Sequence, residues 1–178
     1  MRFSPVAAIP MYVERWLFAA SLLLSCGAFA QLRDADPDWK ESDAPAAPAF
    51  RADRTIPLDM PRHISVRVGI DPQTIRITDD GIVRYVVVAT ASGDSVNASY
   101  EGIRCLTSEV KVYARFGSGG VWRAVPNPEW KPLNGNQPSP HALAFARQGA
   151  CEGRAATGGT VANVVSRLKA PSRDQLKN

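Results

Sequence analysis

The chain has 178 residues, 45% hydrophobic and 21% charged, a composition that fits one globular domain and excludes a fibrous or wholly disordered protein. Its net charge of +4 is scattered among acids and apolar residues, so the clustered basic stripe of a nucleic-acid binder is missing. Fourteen prolines and thirteen glycines favour short strands and turns over long helices.

Residues 1–30 read as an export signal. Arg15 is followed by the apolar run Trp16 to Leu24, too short for a permanent span, and then by Ala28-Phe29-Ala30, an A-x-A cleavage site ahead of Gln31. The residues before Arg15 include Pro5 and Pro10, and Met11 is an alternative start. Leu23-Leu24-Ser25-Cys26 offers a second reading, a lipobox whose Cys26 would be acylated and anchor the protein to a membrane. The expected location is therefore the periplasm, with a Cys26-anchored lipoprotein as the alternative. After residue 31 nothing is apolar enough to span a bilayer.

Residues 31–62 read as an extended linker. Residues 31–50 carry two bases against five acids, and the whole segment holds Pro37, Pro45, Pro48, Pro57 and Pro61, so it has little to bury. Trp39, in Asp38-Trp39-Lys40-Glu41, is the residue that would dock the linker on the domain.

From His63 the pattern turns to period two, and residues 63–155 are expected to form a single β-rich domain. Ile64, Val66, Val68 and Ile70 alternate with small or polar residues, as do Ile75 and Ile77. Asp80-Gly81 predicts a hairpin turn. Ile82 to Ala91 is the next strand, with Val83, Tyr85, Val87 and Ala89 on one face and Val86 and Val88 on the other, the pattern of a central strand covered on both sides. Ser92-Gly93-Asp94 reads as a turn and Ser95 to Cys105 as a further strand. In Glu109 to Phe116, Val110, Val112, Ala114 and Phe116 alternate inward and Glu109, Lys111, Tyr113 and Arg115 outward. Gly117 to Gly120 is a turn, Val121 to Val125 a short strand, and Pro126 to Pro140 a loop around Trp130. His141 to Gln148 is expected to be a short helix, with Ser139 as its cap and Pro140 opening it, or else a strand. Residues 156–178 form a tail in which Val161, Val164, Val165 and Leu168 have helical spacing, with the last eight residues disordered. The expected fold class is mainly β and antiparallel, a sandwich or small barrel with one or two short helices.

Once Cys26 is removed or lipidated, Cys105 and Cys151 remain, an even number that predicts a disulfide in an oxidising compartment. By chain entropy that bridge contributes up to about 4 kcal/mol.

The stretch Asn97-Ala98-Ser99-Tyr100-Glu101-Gly102-Ile103-Arg104-Cys105 resembles the exported bacterial domain family named after the cryptic neisserial protein. Other matching elements are Asp38-Trp39, Asp80-Gly81-Ile82-Val83-Arg84-Tyr85, Val112-Tyr113-Ala114, Trp122, Trp130 and Cys151. The likeness covers roughly residues 38–151 and leaves the tail outside. It implies an envelope location in Gram-negative bacteria. The family is functionally uncharacterised, so it supplies no catalytic residues.

The residues themselves supply no catalytic set either. G-x-S-x-G is absent, and Ser108-Glu109-Val110-Lys111 and Ser166-Arg167-Leu168-Lys169 match S-x-x-K without its companion motifs. Two histidines, His63 and His141, do not make a zinc site when both remaining cysteines are bonded. Asp79-Asp80 reads as a plain turn, no phosphate-cradling loop appears, and no cofactor is expected. A ligand or partner site is sought at Tyr100, Glu101 and Arg104, and at Trp122 and Trp130 as an aromatic platform. In a regular strand Glu101 and Arg104 lie on opposite faces, and a bulge at Gly102 would bring them together as a charged pair. The expected function is a non-enzymatic envelope accessory or interaction module for a protein partner or cell-wall component. The alternative is a periplasmic hydrolase or a small-ligand or glycan-binding protein, and for catalysis Glu101 with His141 is the one acid–base pair to name.

Overall fold

The computed structural model describes residues 36–91, 95–117, 119–134 and 140–170. The export signal, Met11, Cys26, the Ser92-Gly93-Asp94 turn, the Ser139 cap and the last eight residues lie outside the described residues.

One antiparallel sheet organises the chain. Its strands are β1 (Ile56–Pro57), β2 (Arg67–Ile70), β3 (Arg76–Ile77), β4 (Ile82–Thr90), β5 (Val96–Arg104), β6 (Glu109–Phe116), β7 (Trp122–Ala124) and β8 (Lys131–Pro132). They pair in the order β1-β2-β4-β5-β6-β7, with β3 also on β4 and β8 also on β6. The mainly β, antiparallel expectation holds. The sheet is not closed into a barrel: β1 and β7 end the order and do not pair with each other, and among the described residues the second sheet is only a two-stranded one. Helices cover one face and an irregular N-terminal segment covers the other.

β4 is the central strand its sequence announces, buried from Ile82 to Val88. Val83, Tyr85 and Val87 face the helices; Val86 and Val88 face the N-terminal segment. The Asp80-Gly81 turn joins β3 to β4, with Gly81 at φ +78°, a conformation that glycine adopts without strain. The period-two run from Ile64 becomes a strand only at Arg67, because Pro61 to Ile64 closes a turn (Ile64 N–H to Pro61 O, 2.9 Å). Asp71 then caps a short 3₁₀ turn, Pro72–Thr74, by accepting from Gln73 N.

β5 and β6 carry the irregularity that matters most. Tyr100 faces Ala114, but Glu101 faces Val112, so Tyr113 is an extra residue on β6. A bulge of this kind reverses the side-chain alternation beyond it. Val110 packs in the helix-side core, whereas Ala114 and Phe116 pack on the opposite side. The expected single inward row of Val110, Val112, Ala114 and Phe116 is therefore split between the two faces.

The helix-side cover begins at His141. Helix α1 (His141–Phe145) runs on into a π-helical turn, Ala146–Ala150, and Phe145 lies fully buried against Tyr85 with ring centroids 4.5 Å apart. The small hairpin β9 (Cys151–Glu152) and β10 (Ala155–Ala156) comes next. Helix α2 (Val161–Lys169) is N-capped by Thr160, whose hydroxyl accepts from Asn163 N at 3.2 Å. It buries Val164 and Leu168, which at about 1.5–3 kcal/mol per side chain is what holds so short a helix. Cys105 and Cys151 are bonded, Cα to Cα 5.6 Å, tying the end of β5 to the end of the π turn.

The other face is covered by residues 36–54, the larger part of the segment read as a linker. They are extended up to a 3₁₀ turn at Ala52–Arg54, and they lie on the sheet as a strap. Phe50 packs edge-on against Phe116 (5.0 Å) and Trp122 (5.6 Å), and Trp122 Nε1 donates to Pro48 O at 3.2 Å. Trp39 docks as its composition suggests: its Nε1 donates to Asp80 O at 2.9 Å. The compact unit runs from Ala35, so the strap and β1 are parts of the same body as the strands from His63 onward.

Gly102 shows how closely the strap face is packed. A Cβ there would stand 2.8 Å from both Ile82 Cγ2 and Tyr113 Oη. Gly102→Ala is expected to destabilise by about 1–3 kcal/mol through overpacking. Chemical denaturation checks this, and an unchanged midpoint would show that Tyr113 yields freely.

Candidate functional site

The bulge also sets the site. Alternation in β5 puts Glu101 on the helix side, and the shifted register stands it opposite Val112, where α1 brings His141 over it. His141 Nε2 lies 2.9 Å from Glu101 Oε1 and 3.1 Å from Oε2, and Tyr85 Oη donates to Oε2 at 2.8 Å. The Glu101 side chain is 2% exposed and that of His141 17%. A buried carboxylate needs such partners, since leaving it unpaired would cost several kcal/mol.

Burial opposes charge on His141, but the adjacent Glu101 carboxylate outweighs it and Arg115 opposes only weakly, so the imidazole pKa is raised. Burial, reinforced by the Glu101 charge, drives the Tyr85 phenol well above its ordinary value, so it remains a donor. Because the folded histidine titrates above the unfolded value of about 6.5, the pair's contribution is complete below that pH and is lost as pH rises through the folded value. Thermal stability of the wild type is expected to fall across that window, with a flatter profile in His141→Gln. Parallel profiles would refute the coupling.

Above this pair lies a cavity of about 290 Å³. Val110 and Val112 of β6 line one side and Ala142 of α1 another. The connection from β7 to β8 closes it with Val125, Pro126, Asn127, Pro128 and Glu129. Val125 N–H donates to the carbonyl of the bulged Tyr113 at 2.8 Å, which fixes that wall. Arg115, turned to this side by the bulge, and Lys131 complete the lining. Arg115, Val125 and Pro126 also border a second, neighbouring depression of about 770 Å³ that contains Ser99 and Arg123.

The residues singled out in the sequence divide between the two faces. Glu101 enters the cavity. Tyr100 is buried on the strap face against Tyr113, ring centroids 5.4 Å apart. Arg104 does not pair with Glu101; its guanidinium stacks on Trp39, 3.5 Å from the ring centroid. The register shift falls between Tyr100 and Glu101 rather than at Gly102 and leaves the alternation of β5 intact, so Glu101 stays on the face opposite Arg104 and meets His141. Trp122 and Trp130 do not form one platform. Trp122 belongs to the Phe50 cluster, while Trp130 lies edge-on to Trp39 (6.3 Å) and donates to Glu41 Oε2 at 3.1 Å. Sequence reading missed Arg115, Lys131 and the β7–β8 wall, because an uninterrupted alternation places Arg115 away from Val112. Among the described residues no group of three or more His, Cys, Asp or Glu is placed to hold a metal, and no helix is long and apolar enough to cross a membrane.

The model of the CNP1-like family matches residues 34–169. The chain belongs to the CNP1-like family. The match takes in the strap at one end and α2 at the other, so the segment beyond Cys151, expected to fall outside the likeness, is part of the family's domain. No curated protein and no solved structure matches the chain.

Proposed function

We propose that this CNP1-like chain is a non-enzymatic binding module of the bacterial cell envelope that takes a small ligand, or the end of a cell-wall component, in the cavity above Glu101 and His141. The cavity is the observation that carries this reading: it is concave, with valine, proline and alanine walls beside convergent polar groups, as ligand sites are. Envelope location rests on the signal-like segment Arg15 to Ala30 and fits the Cys105–Cys151 bridge.

Hydrolysis is the second reading, favoured by the Glu101–His141 contact. Against it, both Glu101 oxygens are already engaged, and the described lining offers no serine, threonine or cysteine as nucleophile. One experiment separates the two. The purified protein is incubated with a small-molecule and muropeptide extract of the envelope, and native mass spectrometry identifies the species retained and released. Binding predicts a retained species released unaltered. A species released chemically changed, with the change abolished in Glu101→Gln, would replace binding by catalysis, and no retained species at all would remove the proposal.

A further inference from the structure

We infer that the cavity selects a small organic monocarboxylate, with the acid group held by Arg115 and an apolar body lying against Val112 and Val125. The inference rests on the binding-module reading and narrows its ligand class.

Charge accounting around the cavity is the first argument. The lining holds five ionisable side chains: Arg115, Lys131, His141, Glu101 and Glu129. Glu101 is consumed internally, paired with His141 and hydrogen-bonded by Tyr85. That leaves Arg115 and Lys131 against the exposed Glu129, a surplus of one positive charge. Among the described residues neither Arg115 nor Lys131 makes an ion pair, whereas Arg54, Arg84 and Lys111 all do. A single surplus cation suits a monoanion better than a phosphate monoester, which carries more than one charge at neutral pH.

Geometry is the second argument. Arg115 is on this side only because Tyr113 is inserted into β6, and bulges serve to re-aim side chains beside sites. Its position between the two depressions leaves the guanidinium's planar fork open to an incoming carboxylate. Apart from Asn127 the remaining walls are valine, proline and alanine, which give a hydrocarbon body more to pack against than they give sugar hydroxyls to bond. A volume of about 290 Å³ sits at the lower end of the ~300–1,000 Å³ typical of ligand clefts, so the body is small.

The test uses hexanoate, with hexanol and hexylamine as neutral and cationic controls and hexyl phosphate as the dianionic one. Amide ¹H–¹⁵N shifts of the full protein are followed in titrations. Hexanoate is expected to move Val112, Arg115, Val125 and Ala142 saturably, and to bind at least tenfold more tightly than the other three probes. Arg115→Gln, at an exposed position, should weaken hexanoate about tenfold while leaving the rest of the spectrum in place. Equal binding of hexanol and hexanoate would overturn the carboxylate assignment while the binding-module reading stood. Tighter binding of hexyl phosphate would assign the site to phosphate esters instead. Unchanged affinity in Arg115→Gln would remove Arg115 from the site, and no saturable shift with any probe would overturn the inference outright.

Discussion

Arg84→Met is expected to lose about 3–5 kcal/mol of stability, the cost of stranding a buried partner rather than of losing a surface contact. Arg84 lies in the centre of the strap face with its side chain wholly buried. Its guanidinium donates to Asp80 Oδ2 at 3.0 Å, to Ser42 O at 3.2 Å and to the Thr78 hydroxyl. Asp80, 4% exposed, also accepts from Ser42 and from Ile82 N; burial opposes its charge, but Arg84 and these donors outweigh it and hold the carboxyl far below the usual range. Removing the cation leaves that carboxylate buried without its counter-charge. A double variant, Arg84→Met with Asp80→Asn, is expected to recover part of the loss, since no charge is then stranded. Urea unfolding of the two variants gives the comparison. A loss in Arg84→Met below about 1 kcal/mol, the worth of an exposed pair, would show that water reaches the site.

Replacing both Cys105 and Cys151 by alanine is expected to cost about 2–4 kcal/mol. The bridge closes a loop across a sequence separation of 46 residues and joins β5 to the layer built from α1, the π turn and α2. That layer is thin: Phe145, Val164 and Leu168 are its main large buried side chains. Hydrogen exchange should therefore rise first in residues 141–169 and later in β4 and β5. Because α1 also carries His141, ligand affinity in the cavity should fall along with stability. Exchange rising evenly over the whole sheet would instead mean that the helical layer and the strands open as one unit.

Much of the sheet is legible from alternation alone. The hairpin at Asp80-Gly81, the doubly covered β4, the strands on either side of it and the Cys105–Cys151 bridge all follow from local pattern and composition. The bulge does not. The residues of β6 alternate cleanly in sequence, and only the pairing with β5 reveals that Tyr113 is one residue too many. Everything that depends on it was hidden with it: the division of β6 between two faces, the placing of Arg115, and the wall built by Val125. The strap was hidden for another reason. Its prolines and acids describe a chain with little to bury, and the stabilising partners are supplied from 17 to 89 residues away. Glu41 is the clearest case: one exposed-looking acid that accepts from Lys111 Nζ (2.7 Å), Tyr113 Oη (2.7 Å) and Trp130 Nε1 (3.1 Å).

The strap's wiring has a consequence for the order in which the protein can be completed. A ribosome delivers residues 36–54 before their partners on the sheet exist. Glu41 must wait 70 residues for Lys111 and 89 for Trp130, and Pro48 waits 74 for Trp122. Until then Trp39 and Phe50 have nothing to cover them, and the apolar rear of the sheet, from Val86 to Phe116, has no cover of its own. Contacts of such long sequence separation form late, because loop closure must precede them. The first segment of this domain to be made is thus among the last to be installed, and the interval between the two is when the chain is most open to a chaperone, a protease or a neighbouring copy of itself.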